Sequence, residues 1–311
     1  MILHPEGWSA MRPRLEALFQ ASFGRTIQAG YLDWRYRDNG RDRLLFNLEL
    51  DGVEPVASYS ACPVELVQDG RCFATALSMT TMTHPRWRGR GLFQKLAAEL
   101  YRTLGGPDLG GVWGFPNAVS HPLFTAKLQW NDIHEVPALT LGLDGLDPAR
   151  LPPGLEAGSD DAFLLAYPEP PRDGLIRVHR TREYLAWRYA RNPVNVYRNY
   201  VLARHGQVSS YVVAKAYEDG LDLVDIQAAA PEEALGLLSW VVRTALDQGA
   251  KRIQCWAPLR HWVHRVLEQL GFRIGGPVTY FGGVELAPRG MPEGWREDSS
   301  WYYQMSDSDV F

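Results

Sequence analysis

The densest chemistry in the chain lies in one short stretch, Thr83-His84-Pro85-Arg86-Trp87-Arg88-Gly89-Arg90-Gly91-Leu92-Phe93. Three arginines and two glycines fall between Arg86 and Gly91. Glycine permits positive φ and carries no Cβ to block an approaching group. The residues after Gly91 read as an amphipathic helix over Leu92–Leu104, with Leu92, Phe93, Leu96, Ala97, Leu100 and Leu104 on one face. A helix start offers unbonded N–H groups and the positive end of a dipole. Main-chain donors, a dipole and arginine forks converging on one turn suit a pyrophosphate. The turn is not a Walker loop, because no Gly-Lys-Ser/Thr follows, and it does not fit the dinucleotide pattern GxGxxG.

Groups able to move a proton stand nearby in sequence. His84 borders the Arg-Gly turn, and Ser120-His121 follow a second turn at Pro116-Asn117. Asn117 either bonds a ligand crossing that turn or caps the helix after it. The three cysteines, Cys62, Cys72 and Cys255, form no CxxC pair and have no His or Asp at metal-ligand spacing. We expect neither a zinc site nor a thiol nucleophile from them, and they suit a reducing cytoplasm. Lys plus Arg number 32 against 36 Asp plus Glu, a formal charge of −4 that argues against a nucleic-acid partner. No apolar run is long enough to span a membrane, and Met1–Glu6 does not open a secretory leader.

The elements that must position these groups follow from periodicity. Trp8–Gln20 reads as a helix with Met11, Leu15, Leu18 and Phe19 on one face. Leu44–Leu50 and Pro55–Cys62 read as a hairpin around Asp51-Gly52. A β-rich run over Arg71–Met82 precedes the Arg-Gly turn, and Gly105-Gly106-Pro107 ends the helix after it. A strand at Gly111–Phe115, the Pro116-Asn117 turn, a helix and a further strand complete the first half. In the second half, strands are expected at Tyr200–Ala203 and Val208–Ala214 around His205-Gly206, then at Asp222–Ala229, Ile253–Trp256, Val278–Leu286 and Trp301–Met305. Helices are expected at Glu232–Leu246 and Trp262–Leu270.

The two halves echo each other. Tyr31-Leu32-Asp33-Trp34-Arg35-Tyr36-Arg37-Asp38-Asn39 matches Tyr184-Leu185-Ala186-Trp187-Arg188-Tyr189-Ala190-Arg191-Asn192 at six positions, offset by 153. Phe115-Pro116 with Leu123–Trp130 answers Ala257-Pro258 with Arg265–Phe272 at an offset of 142. Two echoes in one order indicate an internal duplication that has lost 11 residues between them. A Gly-, Pro- and Asp-rich stretch from Asp144 to Asp161 reads as the linker between copies. The Trp-Arg-Tyr segments either face a cleft between the copies or pack as aromatic seams.

Arg86-Trp87-Arg88-Gly89-Arg90-Gly91 resembles the pyrophosphate pattern Arg/Gln-x-x-Gly-x-Gly/Ala of the GNAT N-acetyltransferase superfamily, in its expected place between strand and helix. Pro116-Asn117 followed by Leu123–Trp130 resembles the superfamily's next block. The Trp-Arg-Tyr segments and the wording of Thr83–Phe93 are similar to a bacterial subgroup with tandem units. The resemblance implies a mixed α/β (α+β) fold of two tandem GNAT-like units, each a central, mostly antiparallel, splayed sheet flanked by helices. Residues 1–148 would form the unit with the acyl-CoA loop, and 149–311 a degenerate unit.

The same resemblance implies acetyl-CoA as co-substrate, no metal, and a small-molecule amine that attacks directly in a ternary complex. The donor contacts it implies are Met82, Thr83, Arg86, Trp87, Arg88, Gly89, Arg90, Gly91, Leu92, Phe93, Asn117 and Phe124. Met79–Thr83 would be the bulged strand that pairs with pantetheine and gives an N–H to the oxyanion. The superfamily's tyrosine acid falls on Thr125 here and on Leu267 in the second copy, so that role does not carry over. His121, Ser120 and His84 are the remaining candidates. The second copy reads Ala228-Ala229-Ala230-Pro231-Glu232-Glu233-Ala234 where the loop should be, so no CoA is expected there. Its expected part is to pack on the first unit and wall the acceptor cleft. Two other readings stand beside the transferase: a non-catalytic acyl-CoA sensor, and a tandem aminoacyl transferase of the peptidoglycan-bridge type. The acidic balance and the intact loop count against the latter.

Overall fold

The computed structural model describes residues 1–41, 43–104, 109–158, 171–205 and 207–309. The chain forms two compact units. The first is Met1–His134 with Arg191–Val194 and Tyr280–Glu297, and the second is Glu135–Ala190 with Asn195–Thr279 and Asp298–Phe311. These bounds differ from a single cut at 148. Strands near each half's end cross over, so packing rather than chain order sets the units.

In the first unit, helix α1 (Trp8–Phe23) precedes strands β1 (Leu45–Asp51), β2 (Glu54–Gln68) and β3 (Arg71–Thr83). Helix α2 (Leu92–Leu104), strand β4 (Gly111–Gly114) and helix α3 (His121–Leu128) follow. Strand β5 (Asn131–Gly142) begins here and ends in the second unit. β1, β2 and β3 pair antiparallel, while β3 and β4 pair parallel over Thr75–Leu77 and Gly111–Trp113. The core joins Tyr59, Ala61 and Ala76 of the sheet to Leu96 and Leu100 of α2 and to Phe124 and Leu128 of α3. That is the apolar face read from the helix period. The first hairpin turns at Gly52-Val53, one residue later than expected, with Gly52 at φ +61° and Asp51 still paired with Glu54.

In the second unit, strand β6 (Arg177–Val178) and helix α4 (Arg182–Leu185) precede strands β7 (Tyr197–Arg204), β8 (Gln207–Tyr217) and β9 (Gly220–Gln227). Helix α5 (Pro231–Asp247), strand β10 (Arg252–Cys255), helix α6 (Trp262–Gln269) and strand β11 (Arg273–Glu285) complete it. β11 passes into the first unit, where Gly282–Glu285 pair antiparallel with β4. Strand order in this unit is β5-β10-β9-β8-β7, with only β9 and β10 parallel among these pairs. The expected class, mixed with largely antiparallel sheets flanked by helices, is the one observed.

Two expectations change. Trp301–Met305 is not a strand: Trp301 makes one isolated bridge to Ile176, and Met305–Asp307 form a 3-10 turn. The Asp144–Asp161 stretch is a docked segment over its described part. Leu151 and Pro152 accept hydrogen bonds from Arg243 and Ser239 of α5, and the Leu155 N–H donates to the Gly236 carbonyl. Ser159–Asp161, Gly105-Gly106-Pro107 and Gly206 lie outside the described residues. Cys62, Cys72 and Cys255 form no disulfide among the described residues.

Candidate functional site

The site begins with a defect in β3. Ser60 pairs with Met79 and Ser58 with Met82, so Thr80 and Thr81 oppose Tyr59 alone. β3 thus carries a bulge, and Thr80 takes φ +48°. Positive φ is unusual for a β-branched residue and costs on the order of 1–3 kcal/mol. Beyond Leu77, no strand among the described residues continues the pairing on the β4 side of β3. β4 ends at Gly114, and the chain turns at Phe115-Pro116-Asn117. The pairing of the two parallel strands therefore stops short of the bulge.

β3 runs from that bulge into the Arg-Gly turn. A 3-10 turn at Pro85–Trp87 leads to Gly89 at φ +75° and Gly91 at φ +69°. A Cβ built on either glycine would meet nothing within 4 Å, so the space over the mouth of α2 is open. The Arg86 side chain has no protein partner among the described residues and is exposed. Arg88 is committed elsewhere, donating to the carbonyls of Ser22 (2.8 Å) and Thr83 (3.3 Å). Arg90 lies 4.4 Å over the Trp87 ring and donates to the Arg86 carbonyl. It stiffens the turn while keeping its charge beside it. Met82 is buried and Thr83 half-buried, so Met82 offers the site only its backbone.

Leu92 is buried under the helix mouth and Phe93 is half-buried. Phe93 meets Phe124 edge-on at 5.0 Å, and Phe124 packs at 4.3 Å on Trp130. Phe124 is a core residue of this aromatic wall. Tyr59 and Tyr101 continue this wall, their hydroxyls 2.6 Å apart, with Trp130 donating to Tyr101 and Tyr59 donating to Ser78. Burial pushes the Tyr59 phenol up to about 12, and burial likewise raises Tyr101. Neither ionises near neutral pH.

The proton-moving candidates separate clearly. His84 Nδ1 accepts the Arg86 N–H and caps the 3-10 turn. Asn117 Oδ1 accepts from the N–H groups of Val119 and Ser120 and from the Ser120 hydroxyl. Asn117 thus holds the turn before α3, whose N-cap, Ser120, makes no side-chain capping bond. His121, the first residue of α3, differs. Its Nε2 lies 2.5 Å from Asp132 Oδ1, and its ring stacks at 4.0 Å on Tyr280. Nδ1 has no partner among the described residues. A histidine braced by a carboxylate on one nitrogen and free on the other is the arrangement a general base needs. Asp132 and Tyr280 escaped the sequence reading because they belong to β5 and β11, distant in the chain and carried by no motif.

In the second unit the mouth of α5 is filled. Glu233, in the first turn of α5, is buried. Its carboxylate accepts from Ser209 (2.9 Å) and Ser210 (2.5 Å) and pairs with Arg204 at 2.7 Å. The strand edge past the β9–β10 pairing is also occupied. The Tyr302 hydroxyl donates to the Ile226 carbonyl at 2.6 Å, and Gln304 Oε1 accepts the Ile226 N–H.

No family model matches the sequence, and no curated protein matches it. Solved structures do. A conserved protein from Enterococcus faecalis V583, described as a probable N-acyltransferase, superposes with TM-score 0.67 at 12% identity, covering 93% of this chain and 72% of its own. A GCN5-related N-acetyltransferase from Anabaena variabilis gives 0.62 at 11% identity over 88% and 70%. Saccharomyces cerevisiae N-myristoyltransferase, solved with myristoyl-CoA and inhibitors, gives 0.59 at 10% identity over 90% and 78%. Among the described residues no helix is long and apolar enough to cross a membrane. What these likenesses establish is the architecture: the chain has the fold of the GCN5-related N-acetyltransferases.

Proposed function

We propose that the protein is an acyl-CoA-dependent N-acyltransferase, with acetyl-CoA as donor and the amine of a small molecule as acceptor. One observation carries the reading: the mouth of α2 is open above two positive-φ glycines, beside a bulged strand whose pairing with β4 ends at Leu77. The amides from Gly89 to Phe93 and the Arg86 guanidinium would hold the pyrophosphate. Pantetheine would extend along β3 past Met79–Thr83, with Phe93 and Phe124 behind it. A backbone N–H at the bulge would bond the thioester carbonyl and stabilise the oxyanion as the amine attacks.

His121 is the group best arranged to accept the amine proton, with Asp132 holding its ring and Tyr280 fixing its plane. Ser120 is a hydroxyl beside it, and His84 is the weaker choice because its Nδ1 already serves as a cap. Thr125, one turn after His121, donates to the His121 carbonyl and supplies no phenol. That observation favours a second reading, a protein that binds acyl-CoA without turnover.

The test is titration of the full chain with acetyl-CoA, followed by thiol release across a panel of amino sugars, amino acids and polyamines. Binding with amine-dependent thiol release supports the transferase. Binding without release favours the sensor, and absence of binding removes both.

A further inference from the structure

The duplicated Trp-Arg-Tyr motif has no part in the chemistry so far, yet both copies do the same unusual thing. Asp33–Arg37 and Ala186–Ala190 each form a π-helical turn in which Trp, Arg and Tyr are buried. A π turn spends an extra residue per hydrogen bond and re-aims side chains, and it often marks a functional position. In the first unit Tyr36 is 1% exposed, wedged against Phe46 (4.4 Å) and Trp8 (6.1 Å). Its hydroxyl meets Ser60 Oγ at 3.0 Å. Ser60 Oγ in turn donates to the Met79 carbonyl at 2.8 Å, so its one proton is committed and Tyr36 is the donor to it. Burial raises the Tyr36 phenol, and the Ser60 and Thr80 hydroxyls offset only part of that, so the donor stays protonated. Met79 immediately precedes the bulge at Thr80.

The second unit repeats the geometry with other chemistry. β9 also carries a bulge, at Val224, because Val213 pairs with Asp225 and Ala214 with Leu223. Tyr189 donates at 2.7 Å to the carboxylate of Asp225, the next residue.

We propose that the Trp-Arg-Tyr turn is a bulge clamp, with Tyr36 acting through Ser60 as a positioning residue that holds the strained β3 bulge at Thr80. Its consequence for acyl transfer rests on the donor site proposed above; the clamp itself does not. A bulge held at positive φ by a β-branched residue relaxes unless its surroundings fix it. Two hydroxyls in series on the Met79 carbonyl supply that constraint.

The experiment is hydrogen–deuterium exchange on the full chain for Tyr36→Phe, Ser60→Ala and Ser60→Thr, with acetyl-CoA titration and thiol-release kinetics on the same samples. Tyr36→Phe and Ser60→Ala should exchange the amides of residues 79–82 about tenfold faster than wild type, with Arg71–Leu77 unchanged. Ser60→Thr, which keeps the hydroxyl, should restore protection. With the amine that gives turnover, kcat should fall about tenfold while the KM for acetyl-CoA moves less than threefold. Wild-type exchange at 79–82 in both Tyr36→Phe and Ser60→Ala overturns the clamp. Faster exchange in a protein that binds no acetyl-CoA leaves the clamp standing and overturns the donor site instead.

Discussion

The mouths of α2 and α5, one in each unit, differ in every feature that decides whether an anion can enter. At α2 the chain places Gly89 and Gly91 at positive φ and leaves the space above them open. At α5 it places Pro231 first and buries the Glu233 carboxylate among two serine hydroxyls and Arg204. Both satisfy the same electrostatic demand, since a helix start attracts negative charge. One leaves the place open and the other supplies an anion from its own side chain. The bulges differ likewise: hydroxyls hold β3, whereas β9 is held by a buried charge cluster. In that cluster Asp225 accepts from Arg180 and Tyr189, and Arg180 also pairs with Asp307 at 2.8 Å. The first unit leaves its helix mouth open, and the second fills its own with internal structure.

The largest effect should come from the structural copy. Asp225→Ala leaves Arg180 and Tyr189 short of a buried acceptor and should cost about 3–5 kcal/mol, read as a shift in the urea midpoint. A loss below 1 kcal/mol would mean that the cluster does not hold the second bulge. Gly91→Glu should weaken acetyl-CoA binding at least about a hundredfold, because a carboxylate then stands where the phosphates approach. Thermal melting and circular dichroism should show the mutant still folded, and an unchanged affinity would erase the distinction between the two mouths. Glu233→Ala should destabilise by about 2 kcal/mol, since two hydroxyls and Arg204 lose one acceptor, with acetyl-CoA affinity untouched. Arg86→Ala should lower that affinity about tenfold and flatten its salt dependence, measured by calorimetry at two ionic strengths.

The smallest effect is one of pH and reads the second unit alone. His261 caps α6 through Nδ1, and burial, followed by the nearby Arg177 charge, drives its pKa down to about 4. The unfolded chain, with a histidine near 6.5, takes the proton first as the solution acidifies. Its contribution is therefore complete above about pH 6.5 and is lost as pH falls toward 4. Between pH 7 and 5.5 that loss is on the order of 1 kcal/mol. Comparing wild type with His261→Asn, which keeps a capping side chain, should show the steeper acid slope in wild type only.

Much of this was legible in order along the chain. Helical period placed α2 at Leu92–Leu104 without error, because its apolar face is the surface that the core requires. The Arg-Gly turn was legible because glycine and arginine carry their physics locally. The His205-Gly206 hairpin is half seen, with His205 at φ +52° and Gly206 outside the described residues. Trp301–Met305 misled because its aromatics are buried by separate contacts, Tyr302 against β9 and Trp301 beside Ile176, not by strand alternation. His121 stood out in sequence, but nothing marked Asp132 or Tyr280 as its neighbours.

The sequence by itself determined the local devices: the amphipathic helices, the glycine turn, the repeated Trp-Arg-Tyr motif and the carboxylate that fills the mouth of α5. These depend on residues within a few positions of one another, where backbone freedom and side-chain charge act directly. Only tertiary structure decided the pairings that span the chain. Asp132 reaches His121, Tyr280 covers it, and Ser60 links Tyr36 to the bulge. Strand register and packing set such contacts, and neither leaves a fixed spacing in the sequence.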